Sequence, residues 1–239
     1  MTAPAAVDQA PPEELGRLGP ALVWLASVQG AWPPATPKAV RSAVVDTGST
    51  RKEGQAKADA LADDGCDLLV LGAAGDPVPG LVALSALLDL EPVQAVGTAA
   101  GPDWARLTTG VRDGLRTARM HVGDPDGMLK AVGSPVLAEL TGLLAQSAAR
   151  RTPVVFDGSA LTAAGALLAE RVAPGAPAWW LAGQVPPLPA ARKGLTDIGM
   201  HGLLDLELGG PEGADLAWTV LKKALRAAPR RPRGRPPRG

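Results

Sequence analysis

Apolar positions in this chain fall into short continuous runs separated by longer amphipathic stretches. Residues 13–28 carry Leu15, Leu18, Leu22, Leu25 and Val28 on one helical stripe, ended by Gly30 and Pro33-Pro34. A Pro-rich connection over 31–42 leads to Ala43-Val44-Val45-Asp46-Thr47-Gly48, a short strand with its turn. Residues 50–64 alternate alanine with charge and read as a surface helix. The apolar run 66–71 reads as a strand, the Gly/Pro-rich 72–80 as a loop, 81–90 as a helix and 93–97 as a weak strand. Helices are expected over 104–120, 125–132 and 136–150. Beyond them come a strand over 178–183, a helix over 190–198, a short extended piece over 203–206 and a final helix over 216–227.

The stretch 151–168 organises the pattern. Pro153 opens the run Val154-Val155-Phe156, which stops at Asp157-Gly158, and Leu161, Ala164, Leu167 and Leu168 follow at helical spacing. An uninterrupted apolar run suits a strand buried on both faces of a parallel sheet. Asp157 then stands at the strand's carboxyl end, where α/β proteins bind ligands. It reads equally as part of a strand-to-helix turn with Ser159 as N-cap. Strands alternating with helices of ten to fifteen residues predict βα units. The expectation is an α/β fold: a single doubly wound domain with a mostly parallel sheet over 43–228. An N-terminal arm and helix precede it over 1–42, and a disordered tail follows over 229–239.

Composition adds detail. Of the 239 residues 46% are hydrophobic but only 3% aromatic, so Ala, Val and Leu must build the core and helices must pack closely through Ala and Gly. Net charge is zero, yet the last eleven residues hold Arg230, Arg231, Arg233, Arg235 and Arg238 and no acid, which leaves the body at about −5. An acidic body argues against nucleic-acid binding apart from weak contacts of that tail. The single Cys66 excludes an internal disulfide and a multi-thiolate metal site, and reads as a buried small hydrophobe. The first residues lack a basic region followed by an apolar one, so no secretory leader is expected, and no apolar run reaches membrane-spanning length. A cytoplasmic protein follows.

The common phosphate and nucleophile motifs are missing from the sequence. His121 and His201 lie far apart, which argues against metal chemistry. The 72–80 loop sits between a strand and a helix, where backbone amides can cradle phosphate, but Pro77 and Pro79 remove two donors. Glu212 and Asp215, just before the final helix, read either as helix-capping carboxylates or as a general base beside glycines that let a ligand approach.

Taken together, the segments resemble the nicotinate-nucleotide:dimethylbenzimidazole phosphoribosyltransferase family, best over 125–228. Asp124-Pro125 through Val132-Gly133-Ser134-Pro135 is similar to the family's D-P-x-x-x-L-x-x-V-G-G-P-E. Residues 152–164 are similar to its P-V-L-L-D-G-F-x-x-T-A-A, and Leu203-Leu204-Asp205-Leu206 with Pro211-Glu212-Gly213 to its P-L-L-D-L-x-M-R-L-G-E-G-T-G. The resemblance implies transfer of the 5-phosphoribosyl group from nicotinate mononucleotide to 5,6-dimethylbenzimidazole, giving α-ribazole phosphate for the lower ligand of cobalamin. It implies a homodimer and no cofactor. Glu212 matches the family's general base, with its pKa set by apolar burial. Gly72, Gly75 and Gly183 would line the nucleotide site, with Asp157 at the sheet edge and Gly213 flanking the base.

The chain also departs from that pattern. It is roughly a hundred residues shorter than the family norm, mostly between Gln29 and Thr50. The family loop G-E-M-G-I-G-N-T-T keeps two glycines but loses its Glu, Asn and both Thr, and the family's following lysine is missing before Lys130. A non-catalytic homologue that binds a benzimidazole, a nucleotide or a partner is therefore the alternative expectation.

Overall fold

A computed structural model describes residues 13–98, 101–208 and 210–227, together with Pro4 and Val7; the expected tail over 229–239 lies outside the described residues. In chain order the elements are α1 (Leu18–Gln29), β1 (Val40–Val45), α2 (Arg51–Asp63), β2 (Leu68–Ala73), α3 (Val78–Leu87), α4 (Pro92–Val96) and α5 (Trp104–Ala118). They continue as α6 (Pro125–Val132), α7 (Pro135–Ala149), β3 (Val154–Phe156), α8 (Ala160–Val172), β4 (Trp180–Ala182), α9 (Pro189–Asp197) and α10 (Glu212–Ala227). The four strands form one all-parallel sheet in the order β1-β2-β3-β4. The fold is α/β, with the parallel sheet expected from the sequence.

Helices cover both faces of the sheet, as a doubly wound domain requires, although the strand order does not reverse. Strand periodicity decides which residues meet which layer. Leu69, Leu71, Val154, Phe156 and Ala182 point into the larger core, built with α3, α5, α7, α8 and α9. Leu68, Val70 and Val155 point the other way, into a smaller core closed by Leu22 and Leu25 of α1 and by Ala217, Trp218 and Leu221 of α10. Every residue of β2 and β3 is buried, which is why these strands read as continuous apolar runs rather than alternating ones. β1 forms one edge of the sheet, with three of its six residues exposed and only Val45 buried. Among the described residues, no helix is long and apolar enough to cross a membrane.

Several boundaries differ from the sequence expectation for local reasons. Residues 93–97 are not a strand: Pro92 starts the helical turn α4, and the side-chain oxygen of Gln94 accepts the Glu91 N–H at 3.1 Å. β1 begins at Val40, inside the stretch read as a connection. Residues 176–179 form a 3-10 turn, so β4 starts only at Trp180. The extended piece over 203–206 makes a single parallel bridge, Gln184 to Leu204. The last helix begins at Glu212, four residues early, with Glu212 and Asp215 both in its first turn, where the helix dipole favours carboxylates. Cys66 is buried as expected, and burial pushes its thiol pKa up.

The helix over 50–64 is less of a surface helix than its charge suggests. Thr50 and Glu53 close a reciprocal capping box at its start. Further along, α2 lies on α7 through two glycines. A Cβ at Gly54 would strike the Glu139 carbonyl, and one at Gly142 would strike the carbonyl of Arg51. The buried Glu139 carboxylate completes the contact, accepting from Ser49 Oγ at 2.7 Å and from Lys57 Nζ at 2.6 Å. Small residues thus let two helix backbones touch, as the aromatic-poor composition requires. Replacing Gly142 with valine should force them apart and lower unfolding stability by about 1–3 kcal/mol, the usual cost of overpacking. Urea unfolding of Gly142→Val checks this; a midpoint equal to the unsubstituted protein's would refute it.

Candidate active site

The site builds outward from Asp157. β3 ends at Phe156, and Gly158 takes a left-handed φ of 77° so that the chain can turn at once into α8. This brings the Asp157 carboxylate over the end of the sheet, where it is fully buried. One oxygen accepts the Ala73 N–H at the end of β2 at 2.7 Å; the other accepts the Ser159 N–H at 2.7 Å and the Thr162 hydroxyl at 2.5 Å. Ser159 caps α8, as the turn reading held. Burial raises the Asp157 pKa, and these hydrogen bonds oppose the rise without cancelling it. Both sequence readings of this stretch therefore meet in one residue, which stands at the sheet edge and also locks the turn.

The start of α10 is seated on the same edge. A Cβ on Gly72 would collide with Pro211, one on Gly183 would come within 2.9 Å of the Gly213 carbonyl, and one on Gly213 would lie 3.0 Å from the Asp157 carbonyl. These glycines are buried and let helix backbone rest directly on strand ends. In the structure they place α10; the resemblance implies that Gly72 and Gly183 line the nucleotide site and that Gly213 flanks the base. Gln184, fully buried, fixes the approach to the helix: its amide accepts the Leu208 N–H at 2.7 Å and donates to the Leu208 carbonyl. Sequence reasoning passed over this residue. Its signal was a polar side chain just after an apolar strand, the same position that singled out Asp157.

Glu212 is the first residue of α10, immediately before Gly213, so Gly72, Asp157, Gly183, Gly213 and Glu212 do gather at one end of the sheet. The apolar burial expected for Glu212 is not found. Its side chain is exposed and bends back so that one carboxylate oxygen lies 2.5 Å from where a Cβ on Gly210 would be. Position explains this, because a first-turn residue pointing away from the sheet has no layer above it.

Gly75 stands apart from the other glycines. It is exposed, has a φ of 127° and has open space where a side chain would be. It lines a cleft of about 230 Å³ at the carboxyl edge of the sheet. Ala73 and Pro77 form one wall with it, Ser159, Ala160 and Leu161 at the start of α8 another, and Pro186, Pro187 and Leu188 after β4 a third. Asp103, Arg106 and Leu107 of the α5 region close the remaining side. This is the usual ligand position of an open α/β sheet. Neither histidine lines it.

Such a cleft, with a helix start seated on the strand ends, can take a small ligand. The chain belongs to the phosphoribosyltransferase family DBI_PRT, whose model matches residues 43–230. The match reaches upstream of the region where the motifs are plainest, to β1. Among its relatives is the nicotinate-nucleotide–dimethylbenzimidazole phosphoribosyltransferase of Mycobacterium tuberculosis, 42% identical over 189 residues, 76% of this chain and 52% of that protein. The protein of the same name from Mycobacterium avium is 44% identical over 181 residues, 73% of this chain and 52% of the relative. The chain thus spans about half the length of the curated relatives it matches. The crystal structure of CobT from Thermus thermophilus shares the fold, with a TM-score of 0.74, 24% identity and 91% of each chain covered.

Replacing Asp157 with asparagine puts an amide NH₂ against a backbone N–H or the Thr162 hydroxyl. A loss of about 2–4 kcal/mol is expected, near 5–10 °C in melting temperature for a domain of this size. The pH dependence carries a sign. Because the folded pKa is raised, the native state binds the extra proton, so this group's contribution to stability falls as pH rises from the ordinary aspartate range through the raised value. Subtracting the Asp157→Asn urea profile from that of the unsubstituted protein should leave this downward slope. A flat or rising difference would refute it.

Proposed function

We propose that the chain transfers the 5-phosphoribosyl group of nicotinate mononucleotide to 5,6-dimethylbenzimidazole in the cytoplasm, with Glu212 as general base. One benzimidazole nitrogen attacks C1′, and a new N–C1′ bond forms as the bond from C1′ to nicotinate breaks. Nicotinate leaves with the bonding pair, Glu212 accepts the proton from the second benzimidazole nitrogen, and α-ribazole phosphate results. The observation that carries this reading is Glu212 itself: the position matching the family's base begins α10 and is held at the sheet edge by Gly213, Gly72 and Asp157. The names of the curated relatives support the choice of substrates. Without substrate the carboxylate stands in water. A planar base laid against it would supply the apolar cover that the protein lacks there.

A second reading, a non-catalytic binding module, is favoured by the exposure of Glu212 and by the prolines Pro77, Pro186 and Pro187 that wall the cleft. Incubating the protein with both substrates and seeking α-ribazole phosphate by mass spectrometry separates the two. Product should form, and Glu212→Gln should slow its formation by about 10²–10⁴-fold, the usual contribution of a general base. Saturable benzimidazole binding without product favours the module. Product at an equal rate from Glu212→Gln removes Glu212 from the role. The resemblance also implies a homodimer, and light scattering should then give twice the 24.2 kDa of one chain; a mass of one chain refutes this.

A further inference from the structure

We infer that Arg106 receives the phosphate of the nucleotide at the sheet-edge cleft, in place of the backbone amides of the β2–α3 loop. A glycine loop between strand and helix ordinarily holds phosphate through its N–H groups. Here three of the five N–H groups between Ala73 and Pro79 are committed. Ala73 N–H goes to Asp157, Ala74 N–H to the Val45 carbonyl at 3.0 Å and Val78 N–H to Asp76 Oδ1 at 3.2 Å. Pro77 and Pro79 have none to give. Between Ala73 and Pro79 only the amides of Gly75 and Asp76 remain, too few for a cradle, so the positive charge must come from a side chain.

Arg106 is the one cation among the described residues lining the cleft. It sits in the first turn of α5, and the loop itself sets its orientation. Asp76 Oδ1 accepts from Nη1 at 3.0 Å, and Asp103 Oδ1 lies 3.6 Å from Nε. Nη2 has no protein partner among the described residues. Both carboxylates are more than half exposed, so these ion pairs are weak and aim the guanidinium without occupying it fully. Facing it across the cleft, Ala160 and Leu161 begin the thirteen-residue helix α8, whose dipole also favours an anion there. A planar, permanently charged fork suits a phosphate monoester better than an ammonium would. The inference rests on the proposed phosphoribosyl transfer only for the identity of the molecule that carries the phosphate.

Calorimetric titration of the full chain with nicotinate mononucleotide, with its nucleoside lacking the phosphate, and with ribose 5-phosphate tests it, alongside the transfer assay. The unsubstituted protein should prefer nucleotide to nucleoside. Arg106→Ala should lose about 10- to 100-fold in affinity for nucleotide and for ribose 5-phosphate, the worth of hydrogen bonds to a charged group, with nucleoside binding and melting temperature unchanged. Arg106→Lys should recover part of the loss. Transfer activity together with unaltered nucleotide affinity in Arg106→Ala overturns the inference and leaves the function standing. No transfer, but ribose 5-phosphate binding that depends on Arg106, overturns the function and supports the anion site. Failure of both phosphates to bind the unsubstituted protein overturns both.

Discussion

The contact on which the site depends is the one between the Asp157 carboxylate and three donors from two neighbouring segments. Ala73 at the end of β2, Ser159 at the turn and Thr162 in α8 all converge on it, so two strand ends and a helix start are fixed by one buried group. The backbone of the same residue touches Gly213 of α10. A buried carboxylate without such donors would be strongly unfavourable, whereas with them it ties elements that the sheet ladder alone leaves free. The edge of the cleft inherits its shape from this knot.

Packing on the two faces follows from the same economy of side chains. With a single phenylalanine and no tyrosine, layers come together by backbone approach at glycine rather than by large interdigitating rings. Gly54 and Gly142 do this between α2 and α7, while Gly110 and Gly114 of α5 make room for the Val78 and Val82 side chains of α3. Of the tryptophans, Trp218 closes the smaller core, and Trp180, fully buried in the larger one, starts β4. The α2–α7 contacts resist volume changes most, because neither backbone can move aside as a side chain can.

Much of this was legible in the residues. The all-buried strands β2 and β3, the cap at Ser159, and the placing of Asp157 at a strand's carboxyl end follow from apolar runs, cap residues and turn glycines. What the sequence hid was of two kinds. Local chemistry outvoted pattern at 93–97, where Val93 and Val96 suggested extension but Pro92 and Gln94 made a helical turn. Tertiary fit gave Gly72, Gly183 and Gly213 their purpose: a glycine needed for close approach and one needed to greet a ligand look the same in one dimension. Gln184 and Arg106 escaped for a related reason. Their meaning lies in partners 24 and 30 residues away, Leu208 and Asp76.

Glu212 stands in solvent at the first position of α10. In the proposed reaction, a proton accepted there would reach bulk water directly once the ring that delivered it has left. Resetting a base at this position would need no relay of side chains, no internal water file and no movement of a cover.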